Sequence, residues 1–331
     1  MRILPLAVLI LALIPAVFLH APPPPQSEQQ IVRRVDLMPS LAASGRAAGD
    51  SGELGAFELA GAWKLTSPHR KFGNFSALVH DRAGMLIALG DRGGIMRFSP
   101  PDRPGRWFAR IGLLVAGDPR KRSLAYDAEA AVADPASGRL LVGYEDRPAL
   151  FDYPADGAIP RRISVPVLRE WPGNQGPEAM TTLADGRTII LGEVYSRWFD
   201  RRIHPGLIFP GKPRDQENPA RFEIAMPAGF RPTELAQMPD GRVLVLGRSL
   251  LAHGFSSTIS VFDPGELRAG KMLMPRLIAK IARHGLRENF EGMTSVRDAD
   301  GSIAVWLISD SNKMVLAQRT LLLKLRLKPG S

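Results

Sequence analysis

The chain has 331 residues, with 32 Gly, 29 Pro and no Cys. That length supports one large core or two modest ones. The Gly and Pro content suits a turn-rich all-β chain, and the lack of cysteine excludes a disulfide framework and thiolate chemistry. A net charge of +10 is compatible with nucleic acid, an anionic membrane surface or an anionic substrate. The basic residues, however, are scattered pairs such as Arg33-Arg34, Lys121-Arg122, Arg161-Arg162 and Arg201-Arg202. No nucleic-acid motif accompanies them, so no nucleic-acid partner is expected.

Residues 1–21 read as a signal peptide or an N-terminal membrane anchor. Arg2 supplies a thin positive start, and Ile3 to Leu19 is apolar apart from Pro5 and Pro15. That length lies where signal cores and short membrane anchors overlap. Cleavage after Ala21 lacks a small residue two places upstream, where Leu19 stands, so removal and tethering through residues 3–19 both stay open. Export is expected, to the periplasm or to a membrane facing it. Pro22 to Pro25 begin a stiff spacer, and residues 22–52 read as a Pro-rich, polar linker with an early strand near Ile31 to Leu37.

The folded part is expected from about residue 53. Phe57 to Thr66 alternates tolerably and reads as a strand. From there one short motif recurs: Ser76-Ala77-Leu78, Glu129-Ala130-Ala131, Glu178-Ala179-Met180, Thr233-Glu234-Leu235 and Glu291-Gly292-Met293. A turn glycine follows each copy (Gly84, Gly138, Gly186, Gly241, Gly301), then a short apolar strand. Repeats of roughly 40 to 50 residues, built from short strands and Gly turns, indicate propeller blades. The third repeat predicts four strands, at Ala179 to Leu183, Thr188 to Gly192, Leu207 to Phe209 and Arg221 to Met226. Long helices are absent, and the best helical window, Pro264 to Ala282, is interrupted by Pro275. Thr320 to Leu327 alternates strongly, with leucines on one face and Lys324 and Arg326 on the other, and is expected to share a blade with Phe57 to Thr66. The prediction is an all-β propeller of five to six four-stranded blades, closed by its N- and C-terminal strands.

Several of these segments resemble a known family. Gly73-Asn74-Phe75-Ser76-Ala77-Leu78 with Gly90-Asp91-Arg92-Gly93 is similar to the first blade of the phytase-like proteins, described as having "esterase-like activity of phytase". Asn174-Gln175-Gly176-Pro177-Glu178-Ala179-Met180 with Asp185-Gly186-Arg187 resembles the middle repeats. Asn289-Phe290-Glu291-Gly292-Met293, Trp306, Ser309-Asp310-Ser311-Asn312 and Thr320-Leu321-Leu322 resemble the last. The resemblance spans about residues 53 to 328 and implies a propeller with a hydrolase-like name. Two departures stand out: Gly90 replaces the usual Ser before Asp91, and the fourth repeat carries Thr233 where others carry Glu.

In a propeller the first strand of each blade lines the central channel. Glu129, Glu178 and Glu291 are therefore expected to meet at one mouth, with Asp127 two residues before Glu129 on the same strand face. Asp91, Glu193 and Asp310 end second strands nearby. A ring of carboxylates must be protonated, paired or metal-bound, and oxygen ligands suit Ca²⁺ or Mg²⁺. Asp127, Glu129, Glu178, Glu291 and Asp310 are the candidate metal ligands. Glu178, Glu291 and Asp91 are candidates for catalysis, and Arg92 and Lys71 for holding a small anionic or ester substrate. A purely structural role is equally compatible with the repeated glutamates, since a carboxylate at a blade start can accept backbone N–H groups of the next blade. The sequence thus leaves open a metal-assisted hydrolase and a non-catalytic binding propeller of the cell envelope, in either case a monomer.

Other chemistries find no support. Arg283-His284-Gly285-Leu286-Arg287 imitates a phosphohistidine signature but lacks its proline and a later His-Asp pair. There is no Gly-x-Ser-x-Gly elbow, no zinc pattern among the six histidines and no phosphate-cradling loop. Ser76, with His80 four residues on, reads as a buried hydroxyl rather than a nucleophile.

Overall fold

The computed structural model describes residues 32–43, 54–114, 128–145, 149–172, 176–197, 199–251, 254–282, 285–311 and 318–331. The chain enters through β1 (Arg33–Asp36), a short helix α1 (Met38–Ala43) and β2 (Phe57–Thr66). Blade 1 is β3 (Phe75–His80), β4 (Leu86–Gly90), β5 (Gly94–Phe98) and β6 (Ala109–Leu113). Blade 2 is β7 (Ala128–Ala133), β8 (Leu140–Tyr144), β9 (Ala149–Tyr153) and β10 (Arg161–Ser164). Blade 3 is β11 (Pro177–Thr182), β12 (Thr188–Gly192), β13 (Ile203–Phe209) and β14 (Ala220–Ala225). Blade 4 is β15 (Arg231–Gln237), β16 (Val243–Leu251), β17 (Gly254–Phe262) and β19 (Arg276–Ile281), while β18 (Met272–Leu273) adds in parallel to the outer edge of blade 3. Blade 5 is β20 (Asn289–Arg297), β21 (Ile303–Asp310) and β22 (Thr320–Leu327), extended outward by β2 and then β1.

The described residues therefore make five blades, and the upper end of the expected range is not reached. Pairing of β2 with β22 follows the expectation for Phe57 to Thr66 and Thr320 to Leu327, with Trp63 opposite Leu322. The stretch read as linker is partly built into the body: β1 pairs with β2, and Leu41 of α1 is buried against blades 4 and 5. The Pro264 to Ala282 window forms no long helix. It holds a one-turn 3₁₀ segment at Pro264–Glu266, then β18 and β19. The remaining N-terminal call, on residues 1–31, lies outside the described residues. Among the described residues no helix is long and apolar enough to cross a membrane.

The core is five apolar layers, one between each pair of neighbouring blades. Ala77, Ile87 and Leu89 meet Val142 and Phe151 between blades 1 and 2. Leu141 and Ile163 meet Ile190 and Phe209 between blades 2 and 3. Ile189 and Leu191 meet Val243 and Val245 between blades 3 and 4. Leu244 and Ile259 meet Leu321 and Leu323 between blades 4 and 5. The fifth layer brings Trp306 and Leu322 of blade 5 onto Leu78 and Leu86 of blade 1, with Trp63 stacked 5.7 Å from Trp306. Because a blade is covered on both faces, its central strands read as unbroken apolar runs rather than as alternation.

Burial on both faces also corrects the reading of Thr320 to Leu327. Lys324 does not face solvent. It is 5% exposed, lies over the Trp306 ring at 5.3 Å, and donates to Asp102 at 2.5 Å and Asp298 at 2.6 Å. These hydrogen bonds outweigh burial and raise its pKa.

Candidate functional site

The recurrent motif marks a β-bulge. In each inner strand the ladder register slips across one residue, and that residue is the first of the motif: Ser76, Glu129, Glu178, Thr233 and Glu291. A bulge leaves its extra residue out of the ladder and re-aims the side chain. The sequence period therefore reports a repeated device at one end of the central channel.

The motif's second residue sits at the axis. It is Ala77, Ala130, Ala179 and Gly292 in four blades, all small. A Cβ on Gly292 would lie 2.8 Å from backbone atoms of Ala77 and Leu78 in the neighbouring blade. Blade 4 places Glu234 in this tier, 1% exposed. Its carboxyl accepts the Leu235 N–H at 3.0 Å. Burial raises its pKa well above the usual carboxylate range, and the Leu78 and Met180 N–H groups of two other blades offset only part of this. The staple role considered for the repeated glutamates falls to Glu234, which sequence reasoning passed over.

The mouth is built from the bulge residues and from second-strand positions: Asp91, Glu145 and Glu193 just past the ends of β4, β8 and β12, Asp310 at the end of β21, and Arg248 within β16. Blade 4 is the exception, with Arg248 where the others carry an acid. Arg248 donates to Glu291 at 2.5 Å, to Asn289 Oδ1 at 3.3 Å and to Glu193 at 3.2 Å. Its nearby carboxylates, Glu291 first, then Glu193, Glu178 and Glu129, more than offset its burial and hold it protonated. Arg231 reaches the same Glu193 oxygen at 3.2 Å and donates to Tyr195 Oη at 2.9 Å.

Of the three expected catalytic candidates, Glu178 and Glu291 face Arg248. Glu178 is 6% exposed and accepts no hydrogen bond from the described residues. Burial above all, and then the charge of Glu193, raise its pKa well above the usual range. Glu291 is pushed up by burial and drawn back by Arg248 and by Asn289, whose amide donates to it at 2.9 Å. The same amide reaches Asp310 at 3.3 Å. Asp91 accepts from Asn74 at 2.8 Å, and Asn74 adopts φ 55° to enter its strand.

Lys71 and Arg92 adjoin this mouth. Lys71 Nζ donates to the Arg92 carbonyl at 2.5 Å, and its pKa is lowered by burial and by Arg70 and Arg92. Asp127, Asn174, Gln175 and His284 lie outside the described residues. Among the described residues no three acidic or histidine side chains form a group able to hold a metal ion. The cation standing among Glu178, Glu193 and Glu291 is the Arg248 guanidinium, so this set does not fit a divalent ion. Ser76 and His80 do not pair: Ser76 is buried at the acidic end, whereas His80 bonds Thr294 Oγ1 at 2.9 Å further along the channel.

His204 was also missed. It is fully buried, with Nδ1 3.0 Å from the Glu193 carbonyl and 3.1 Å from the Val194 carbonyl, and Nε2 has no partner. Nδ1 therefore carries the proton, and burial lowers the pKa to about 4. This neutral ring fixes the turn that bears Glu193 and Tyr195.

Fold and site together define a five-bladed propeller with an acidic, arginine-clamped channel mouth. The chain belongs to the phytase-like family, "Esterase-like activity of phytase", whose model matches residues 70–313. No curated protein matches it. Similar solved structures include Kuenenia stuttgartiensis hydrazine synthase, at 13% identity and TM-score 0.38 over 72% of this chain and 57% of that one. Chaetomium thermophilum Raptor shares 9% identity, with TM-score 0.44 over 82% of this chain and 26% of its own. The Cps50 (Swd1) β-propeller domain of Myceliophteria thermophila shares 9% at TM-score 0.37, over 92% and 98%. The chain spans just over half of the hydrazine synthase chain and about a quarter of Raptor.

Proposed function

We propose that this phytase-like propeller is an exported, monomeric hydrolase of a phosphoester or other ester, working at its acidic mouth. The observation that carries the reading is a buried Glu178, its pKa raised, beside a Glu193 carboxylate held by two arginines. A buried acid with a raised pKa beside an ion-paired carboxylate supplies a proton donor and a proton acceptor in one site. In this reading Glu193 takes a proton from the attacking water, and Glu178 gives one to the leaving alkoxide. Arg231 and Arg248 keep 40% and 28% of their side chains exposed, enough to meet an anionic oxygen. The apolar run Ile3 to Leu19 supports export. In the same reading the sheet shared by β2 and β22 clasps the ring and keeps the mouth in shape.

A second reading, a non-catalytic binding propeller, is favoured by one observation: Arg248 is already engaged by Glu193 and Glu291. Turnover of p-nitrophenyl phosphate and p-nitrophenyl acetate by the full chain, with and without added calcium, separates them. Glu178→Gln keeps the shape of the protonated acid but cannot donate that proton. It should lose about 10²- to 10⁴-fold in kcat with its melting temperature held. No turnover in either condition would overturn the hydrolase. Turnover only with calcium would restore the divalent ion expected from Asp127, Glu129, Glu178, Glu291 and Asp310.

A further inference from the structure

All five inner strands continue past the axial tier into a second chamber. A cavity of about 450 Å³ lies there, lined by the distal halves of β3, β7, β11, β15 and β20. It holds none of the acidic-mouth residues. The small axial residues and Glu234 stand between the two ends, and Leu78, Met180 and Leu235, which surround the Glu234 carboxyl, also line this cavity. The volume lies within the roughly 300 to 1,000 Å³ usual for small-molecule sites.

The wall is chemically selective. Its polar side chains are mostly engaged within the protein. His80 bonds Thr294, Thr182 bonds Thr188 at 3.1 Å, and Ser295 donates to the Ala304 carbonyl at 3.2 Å. Gln237 accepts from the Ala184 N–H at 2.6 Å and donates to the Gly241 carbonyl at 2.8 Å. Burial lowers the His80 pKa, so that ring is neutral at pH 7. What the wall offers a ligand is therefore largely apolar, from Leu78, Val132, Met180, Leu183, Leu235 and Met293.

The rim differs. Lys212 and Arg139 both line the cavity, and both lean on one buried carboxylate, Asp152, at 2.8 Å each. Arg161 approaches the same Asp152 at 3.9 Å. Asp156 and Asp134 also act on Arg139, so three cations share the rim with three carboxylates. Lys212 and Arg139 keep 46% and 35% of their side chains exposed, so both can turn toward a ligand.

We propose that this chamber is a second ligand site, opposite the acidic mouth, for a single-chain anionic amphiphile of the medium-chain fatty carboxylate class. The alkyl chain fills the apolar wall, and the carboxylate meets Lys212 and Arg139. The site is independent of any chemistry at Glu178.

The test is equilibrium dialysis of radiolabelled decanoate against the full chain, with decanol as the headless control. One saturable decanoate per chain is expected. Ala184→Trp and Thr182→Trp fill the chamber from exposed wall positions, and each should weaken decanoate at least about tenfold. Two filling variants guard against misfolding of either, and a melting temperature within a few degrees of the parent identifies a usable one. Lys212→Met should weaken decanoate several-fold and leave decanol unchanged. No saturable decanoate binding, or binding undiminished in a folded filling variant, would overturn the site. Equal weakening of decanoate and decanol by Lys212→Met would overturn the role of the rim.

Discussion

Arg231 and Arg248 stand directly opposite one another on β15 and β16, and both reach the same Glu193 oxygen at 3.2 Å. Like charges at directly paired positions on neighbouring strands repel. Here a carboxylate from blade 3 bridges them, so the blade 3 to blade 4 junction and the channel mouth share one electrostatic unit.

Removing its centre should be costly. Arg248→Met leaves Glu178, Glu193 and Glu291 without their buried counter-charge, and loss of one partner from a buried set costs about 3–5 kcal/mol. The sign with pH is fixed by the raised Glu178 and Glu291 pKa values. A buried acid with a raised pKa favours folding at low pH and costs stability as pH rises above about 4.5, its unfolded value. Arg248 now limits that cost. Urea unfolding should show a larger deficit for the variant at pH 8 than at pH 5, and equal deficits would contradict the assignment.

His204 acts in the opposite direction. Its folded pKa of about 4 lies below the unfolded value of 6.5, so the unfolded chain takes up the proton first. Stability is full above pH 6.5 and is lost as pH falls from 6.5 toward 4, by up to about 3 kcal/mol. His204→Gln should flatten this part of the profile. Subtracting its unfolding free energies from those of the parent across pH 4 to 7 isolates the effect from the glutamates.

Glu234 separates shape from charge at the axis. Glu234→Gln keeps a carbonyl acceptor for the Leu235 N–H and should change stability by less than about 1 kcal/mol at pH 5. At pH 8 it should match or exceed the parent, because the parent must deprotonate or hold a raised-pKa acid there. Glu234→Leu strands the buried N–H groups that now face the carboxyl, each at about 1–3 kcal/mol. Thermal melts of the pair should therefore diverge, and a benign Leu variant would refute the staple.

Gly292 tests how closely the inner strands meet. Adding a methyl there presses on backbone of blade 1 at 2.8 Å and on Ile308 at 2.7 Å. Backbone cannot step aside as a side-chain tip can, so Gly292→Ala should cost about 1–3 kcal/mol. Gly241→Ala, whose added Cβ meets nothing, gauges the separate cost of a turn glycine at φ 95°.

Much of this molecule is legible in its sequence because the repeat is a local device. The five motif copies fall on the five bulges, and Thr188–Gly192 is recovered at its expected ends, since strand period and turn glycines are properties of short segments. The family resemblance rests on the same segments. The fourth repeat also announced its difference through Thr233. The second-strand glycines carry that signal further, since Arg248 follows Gly247 as Glu193 follows Gly192 and Asp91 follows Gly90.

What the tertiary structure alone decided is which groups share an environment. Lys324 looked solvent-facing because alternation normally separates core from water, yet a propeller strand is covered on both sides and the amine lies between carboxylates. The repeated glutamates looked like an oxygen cage because the channel gathers them, yet the opposing guanidinium comes from the one blade that breaks the pattern. Glu234 looked like an ordinary member of a strand, and only ring closure puts it on the axis beside the backbone of blades 1 and 3. Periodicity along one chain determines where strands bulge and turn. The dielectric and the partners around each charge arise when five distant segments converge, and no short stretch of sequence contains that information.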